Sequence, residues 1–465
     1  MADRAEPARV RVLHASQPTD GGVAVYVVQA AADQVRRGWE VAVACPPDGD
    51  LAARLLAAGV AHVPWHAGRA PGPGTVREAL DLRRIVRRFA PDVLHLHSAK
   101  AGLAGRLPLG PLGGPAVPTI FQPHGWSWLA ATGAQAAAGL LWERLAARRT
   151  GALVCVGTGE LLQGREARVR APYRLVRNGV DLGHFTPAGP AERRAARAAL
   201  GLPADAPLAV CIGRVTRQKG QDVLLAAWPA VRRRCPRALL AVVGDGDALP
   251  RLRRAAPPGV RFVPPVADTR GWLAAADVVV LPSRWEGLAL VALEALARGR
   301  SLVCSNVPGL AEVVQPESGA LVPPDDPGGL AEAVAYRLER PREADAEGRA
   351  GAGAAGEFDL SGTLALLSAV TSGLAGAGRA GGAAAGGAGS AGGAGTAEKP
   401  SAGGRAGGVP VTEPGGGTGA GGTGGEAGGD ACAETGGEAG GDAGGTGTGG
   451  AGTGVPAPFP PNSSR

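Results

Sequence analysis

The sequence predicts an α/β protein of two domains, each a parallel sheet wrapped by helices, followed by a tail that does not fold. Three observations carry this. Short β-branched runs alternate with amphipathic helical patterns through about residue 370, the rhythm of parallel strands joined by helical crossovers. A length of 465 residues accommodates two such domains. The composition then breaks: 36 of the 77 glycines fall in the last 95 residues, where Phe459 is the one aromatic. Such a stretch cannot bury enough apolar surface to offset the entropy of ordering it. Domains are therefore expected over residues 8–185 and 186–370, with 371–465 disordered.

The first domain opens with a strand over 10–13, a polar loop HASQPTDGG, and a helix over 23–37. Strand, glycine-rich turn and helix together make an anion site. Without a Cβ at Gly21 and Gly22 the backbone can approach a phosphate, and the helix start supplies free N–H groups. A tight turn with no ligand accounts for the same residues. Strands follow over 40–45, 61–65 and 93–97, with helices over 51–58 and 76–89. In the second of these helices Leu82, Ile85, Val86 and Phe89 share the inner face, and Arg84, Arg87 and Arg88 the outer. A further strand begins at Thr119 and runs into Pro123-His124-Gly125. Residues at the C-terminal ends of parallel strands are where such sheets hold ligands, which singles out His124. A strand over 152–156 leads, through a helix and a short strand, to Arg177-Asn178-Gly179-Val180-Asp181, a turn into the second domain.

In the second domain a buried strand over 208–212 is followed directly by Gly213-Arg214 and Lys219-Gly220, and then by a helix over 223–234. Arg214 offers a planar fork and Lys219 a point charge, a pair suited to a diphosphate. Lys219 is one of three lysines in a chain that otherwise uses arginine. Strands over 239–243 and 261–263 and a short helix over 272–276 lead to LPSRWEGLALVALEALARG, beginning at Leu281. Glu286 and Glu294 stand eight steps apart, about 80° around a helix and up to roughly 12 Å along it. That separation is poor for a carboxylate pair flanking one bond. It suits one extended ligand held at two places.

Glu286-Gly287 leading and Glu294-Ala295 closing, with seven residues between the glutamates, resembles the retaining glycosyltransferases of family 4. These have the GT-B fold of two facing Rossmann-like domains. Arg214 with Lys219, His124-Gly125, Gly21-Gly22 and Asn178-Gly179-Val180-Asp181 match the family in the same order, so the likeness spans residues 10–370. It implies transfer of a sugar from a nucleotide-diphosphate donor with retention. Arg214, Lys219, Gly21 and Gly22 would meet the donor diphosphate, Val266 the base, and Glu294 the ribose. His124 and Glu286 would lie at the sugar. It implies no metal, because no Asp-x-Asp cluster stands where a catalytic ion would be needed and the cations replace one. Pro308-Gly309 stands where relatives carry Gly-Gly, and Arg300-Ser301 where they favour Thr-Pro. HLHSAKAGLAGRL with PHGWSW is nearest in look to transferases that build bacterial cell-surface polysaccharides on lipid carriers.

Other classes remain open: an epimerase or hydrolase of nucleotide sugars, which needs a further carboxylate near His124, or a non-catalytic scaffold acting through the tail. The six cysteines show no CxxC or metal spacing and read as small core residues. Net charge is +7. It fits phosphate-bearing ligands or anionic lipid, and no nucleic-acid partner is expected. With no run of about 18 apolar residues, the chain is expected to be cytoplasmic or peripheral at the inner face of the membrane. The acceptor is expected to be a carbohydrate or a lipid-linked one; Arg84, Arg87, Arg88, Arg144, Arg148 and Arg149 either supply a surface contact or only solubilise their helices.

Overall fold

The structure is a computed structural model and describes residues 9–107 and 117–387. Seven strands make a first sheet: β1 Arg11–Ser16, β2 Glu40–Cys45, β3 Ala61–Pro64, β4 Val93–His97, β5 Thr119–Gln122, β6 Ala152–Cys155 and β7 Tyr173–Leu175. Six make a second: β8 Leu208–Ile212, β9 Leu239–Val243, β10 Val260–Val263, β11 Val278–Leu281, β12 Ser301–Ser305 and β13 Gly319–Val322. The orders are β3-β2-β1-β4-β5-β6-β7 and β10-β9-β8-β11-β12-β13, and every pairing is parallel.

Both sheets are buried on two faces, so their strands read as continuous apolar runs rather than alternating ones. Leu208–Ile212 and Val278–Leu281 are buried at every position. The order reverses beside β1 in the first sheet and beside β8 in the second. At such a switch point neighbouring crossovers leave in opposite directions and open a crevice at the C-terminal strand ends. The segments that follow β1, β4, β8 and β11 are therefore the ones the topology offers to a ligand.

Two expectations about the chain after residue 360 are overturned. A single helix, Leu360–Gly387, runs straight through the boundary expected at residue 370. It does not belong with the second sheet. Leu364, Leu367 and Ala375 pack against Tyr26, Val93, Ile120 and Val154 of the first half, and Arg379 pairs with Asp92 at 2.7 Å. The chain returns to the first half beside the crossover, where Val180 and Leu360 exchange backbone bonds with neighbouring carbonyls. Residues 371–387 are thus folded, and residues 388–465 lie outside the described residues. The same helix contains a stretch, Leu360–Arg379, with mean hydropathy 1.4, long and apolar enough by length and composition to cross a membrane. Part of its apolar face packs against the first sheet through Leu364, Leu367 and Ala375, and 33% of the stretch is buried.

The five described cysteines, Cys45, Cys155, Cys211, Cys235 and Cys304, are free and buried, as read from the sequence. Cys432 lies outside the described residues.

Candidate active site

The helix Gly21–Arg36 begins directly after the loop that leaves β1, and no side chain caps it. Its first N–H groups are therefore open, and Gly21 and Gly22 are both exposed at its start. A Cβ on Gly21 would stand 4.0 Å from Cδ of Arg214, and one on Gly22 would stand 3.6 Å from Leu290. The glycine turn of the first half thus faces the cationic turn and the Glu-x7-Glu helix of the second. Arg214 follows β8 and bonds no carboxylate or carbonyl among the described residues. Its side chain passes beside the glycine turn at Gly21.

Lys219 is committed. Its Nζ lies 2.6 Å from Oε1 of Glu286, which also accepts from Ser283 Oγ at 2.7 Å. The sequence assigned these two residues to different parts of a ligand, whereas the structure joins them in a half-buried ion pair. Glu294 lies within the helix Leu290–Ala297 and accepts from Thr269 Oγ1 at 2.8 Å. Burial, with Asp268 adding to it, pushes its carboxyl up to about 7. Its other oxygen makes no hydrogen bond among the described residues and can accept one. Val266, in the loop between β10 and the helix Arg270–Ala275, is partly buried against the second-half core on the same side.

His124 sits one turn beyond β5 with φ of 54°, followed by Gly125 at 103°. A left-handed histidine is a local strain that surrounding contacts must hold. Glu160 supplies one of them: Oε1 accepts from Gly125 N at 2.6 Å and Oε2 from Val156 N at 2.8 Å. On its other side His124 Nε2 lies 3.0 Å from His97 Nδ1. Burial pulls the His124 imidazole down to about 3, so it is neutral near pH 7. A Cβ on Gly287 would come within 3.4 Å of Gly125 N and 3.6 Å of the His124 carbonyl carbon. His124-Gly125 and Glu286-Gly287 are therefore brought against each other across the two halves.

The halves are tied by residues that the sequence did not single out for a site. Glu312 accepts from Thr158 N at 2.6 Å and Thr158 Oγ1 at 2.9 Å, and pairs with Arg177. It caps the helix Thr158–Glu166, a position where a carboxylate also meets the positive end of the helix dipole. Asn178 donates to the Leu288 carbonyl at 2.7 Å, which gives the Asn-Gly-Val-Asp turn a structural role. Pro308-Gly309 is likewise explained by packing. A Cβ on Gly309 would lie 2.1 Å from the Gly287 carbonyl oxygen, so only glycine fits there, and Pro308 packs on Gly159. Arg300 is buried and donates to the carbonyls of Ala276 and Ala188.

A buried imidazole cluster, only partly signalled by His95 and His97 two residues apart, underlies His124. Nitrogens of His14, His95 and His97 lie within 4.8 Å of one another, a donor set a cation could use. In this structure His14 bonds His97 and Gln34, His97 also bonds His124, and His95 Nε2 bonds Gln122, while His95 Nδ1 is buried without a partner among the described residues.

Two facing parallel-sheet domains, with an open helix start on one and a cationic turn and spaced glutamates on the other, define a glycosyltransferase of the GT-B class. Solved structures agree on the fold. Sucrose-phosphate synthase from Thermosynechococcus elongatus is 24% identical with a TM-score of 0.67, over 79% of this chain and all of that one. The Anabaena protein HepE, solved with UDP and glucose, is 18% identical with a TM-score of 0.66, over 78% of this chain and all of HepE. A Glycosyltransferase Family 4 profile matches residues 20–184, and a Glycosyl transferases group 1 profile matches residues 206–340. The D-inositol 3-phosphate glycosyltransferase of Saccharomonospora viridis is 33% identical over 69% of this chain and 82% of its own length. The enzyme of the same description from Streptosporangium roseum is 31% identical over 76% and 88%. A match to a third, from Catenulispora acidiphila, is 40% identical but spans 49% of that protein. The chain belongs to glycosyltransferase family 4.

Proposed function

We propose that the chain moves a sugar, with retention, from a nucleotide-diphosphate donor to a hydroxyl of a carbohydrate or lipid-linked acceptor. The observation that carries this is the convergence of Arg214, whose side chain bonds no carboxylate or carbonyl among the described residues, on the open helix start at Gly21 and Gly22. A diphosphate lying between them would meet backbone N–H groups from one half and a guanidinium from the other. Lys219 would join by turning from Glu286. Glu294 would accept from the ribose diol, and Val266 would border the base. His124 and Glu286 would flank the sugar. In the reaction the bond from the anomeric carbon to the departing phosphate oxygen breaks as the acceptor oxygen bonds the same face. The acceptor proton passes to that phosphate oxygen, and Arg214 and Lys219 stabilise the charge that grows there. These residues replace a metal in this scheme.

An epimerase or hydrolase would need a carboxylate near His124. Glu160 is near, but both its oxygens are held by backbone N–H groups, which favours a supporting role.

For the acceptor, relatives described as inositol phosphate glycosyltransferases and as a GDP-mannose-dependent phosphatidylinositol monomannoside mannosyltransferase support the inositol and glycolipid class. Work at the inner membrane face is supported by Arg144, Arg148 and Arg149 beside Leu141 and Leu145, all exposed. Each basic residue near an anionic leaflet adds about 1 kcal/mol. Sedimentation with anionic and neutral vesicles at two salt concentrations tests the surface, and equal negligible binding would favour a soluble acceptor. A thermal-shift screen of nucleoside diphosphates tests the donor site, since a ligand that prefers the folded chain raises its melting temperature. Stabilisation lost in Arg214→Ala supports the reading, and no stabilisation by any diphosphate overturns it.

A further inference from the structure

A row of buried side chains that the proposed reaction does not touch leads from the core to His124. Gln34, near the end of the helix Gly21–Arg36, places Oε1 2.8 Å from His14 Nε2. His14 Nδ1 lies 2.9 Å from His97 Nε2, and His97 Nδ1 lies 3.0 Å from His124 Nε2. Gln34, His14 and His97 are fully buried. Strand register sets the row up: β1 pairs with β4 so that His14 faces His95 and Ser16 faces His97, and β4 pairs with β5 beneath the His124 turn. His95 stacks on His97 with centroids 4.0 Å apart but bonds Gln122, so it packs against the row without joining it.

Desolvation keeps all three imidazoles of the row neutral near pH 7. A neutral imidazole has one N–H and one lone pair. Three of them in line satisfy every contact only when all carry the proton at the same end. The row therefore has two states, and the group at its buried end selects one. A carboxamide oxygen can only accept. Facing His14, it requires Nε2–H there, which leaves Nδ1 to accept from His97 Nε2–H. His97 Nδ1 then accepts from His124 Nε2–H. Nδ1 of His124 keeps its lone pair, makes no hydrogen bond among the described residues, and belongs to a ring that is half-buried at the cleft.

We propose that Gln34 is a positioning residue that, through His14 and His97, holds His124 in the Nε2–H tautomer, so that Nδ1 accepts from a hydroxyl of the donor sugar. The proposal rests on the reading above for what His124 meets, but the state of the row belongs to the free chain. The opposite state, with the carboxamide nitrogen donating to His14, would present His124 Nδ1–H as a donor.

The test uses the full chain labelled with ¹⁵N in its seven histidine rings, observed without ligand by long-range ¹H–¹⁵N correlation at pH 7.5. The expected spectrum has His14, His97 and His124 each as the single Nε2–H tautomer. Gln34→Met removes the acceptor at similar volume, and His124, two rings away, is then expected to populate both tautomers. Gln122→Met removes the acceptor of His95, which lies off the row, and should leave the His124 tautomer unchanged. An Nδ1–H pattern on His124 in the parent chain overturns the proposal. So does an unchanged His124 in a folded Gln34→Met. Should Gln34→Met not fold, the parent spectrum still decides. These spectra need no donor, so a failure of the transferase reading would appear separately, in the nucleotide screen.

Discussion

Lys219→Ala separates two roles that the structure lets one residue play. In the free chain its ammonium neutralises Glu286, whose side chain is 7% exposed against 19% for Lys219. Removing the lysine leaves a nearly buried carboxylate with Ser283 as its remaining side-chain partner. Charged hydrogen bonds contribute about 1.5–3 kcal/mol. The retained Ser283 bond places the expected stability loss near the lower end, seen as a melting temperature a few degrees lower. Loss of a charge-assisted contact to a diphosphate would weaken nucleotide binding by about 2 kcal/mol, or thirtyfold in Kd. The fall in kcat/KM should be larger, because charge on the leaving group grows toward the transition state. The double variant Lys219→Ala/Glu286→Gln distinguishes the roles. It removes the unpaired charge and should recover melting temperature without recovering nucleotide affinity. Calorimetric titration with nucleoside diphosphates reads the affinity. A Kd within twofold of the parent in Lys219→Ala would refute the diphosphate clamp.

Other consequences are as direct. Burial pushes the Glu160 carboxyl from its ordinary 4.5 up to about 7. A folded-state value above the unfolded one means stability present below pH 4.5 and lost as pH rises through 7. Glu160→Gln should remove about 3 kcal/mol of that dependence. The buried histidines act in the opposite sense below pH 6.5, so the difference between parent and variant denaturation curves is the quantity to measure, and parallel curves would contradict the assignment. Chains ended after Val370 should melt lower than chains ended after Gly387, because the former lose buried Thr371 and Ala375 and the Arg379–Asp92 pair. The cost is about 3 kcal/mol, and equal melting temperatures would show that this part of the helix contributes nothing. Glu312→Ala removes the cap on the helix Thr158–Glu166 and should cost about 2 kcal/mol in chemical denaturation.

The sheet architecture was legible because buried parallel strands leave unbroken apolar runs. β2, β4, β8 and β9 fall where those runs predict them, even with two histidines inside β4. The helix after residue 370 was not legible. Its alanines and glycines match the composition of the residues that follow, and only tertiary packing on Val93 and Ile120 distinguishes them. Its apolar character is diluted in the same way, so no unbroken run marks it. Within the candidate site, residues beside a strand end or an unusual turn could be singled out: Arg214 comes beside Gly21, Lys219 pairs with Glu286, and His124-Gly125 meets Gly287. Glu160 and Glu312 could not, since the contacts that tie them to Gly125 and to Thr158 join residues 35 and 154 positions apart. The histidine row had a partial signal. His95 and His97 at i, i+2 must share one face of a strand, but His14 and Gln34 join them only through the β1–β4 register.

Whether the cleft performs sugar transfer is read most directly by following phosphorus. The full chain would be incubated with nucleoside-diphosphate sugars, with and without inositol phosphate or phosphatidylinositol mannoside acceptors, and watched by ³¹P NMR. Acceptor-dependent release of the nucleoside diphosphate is predicted, abolished in Arg214→Ala, with a product of the same anomeric configuration as the donor. Release that is indifferent to Arg214, or a product of inverted configuration, would contradict the account.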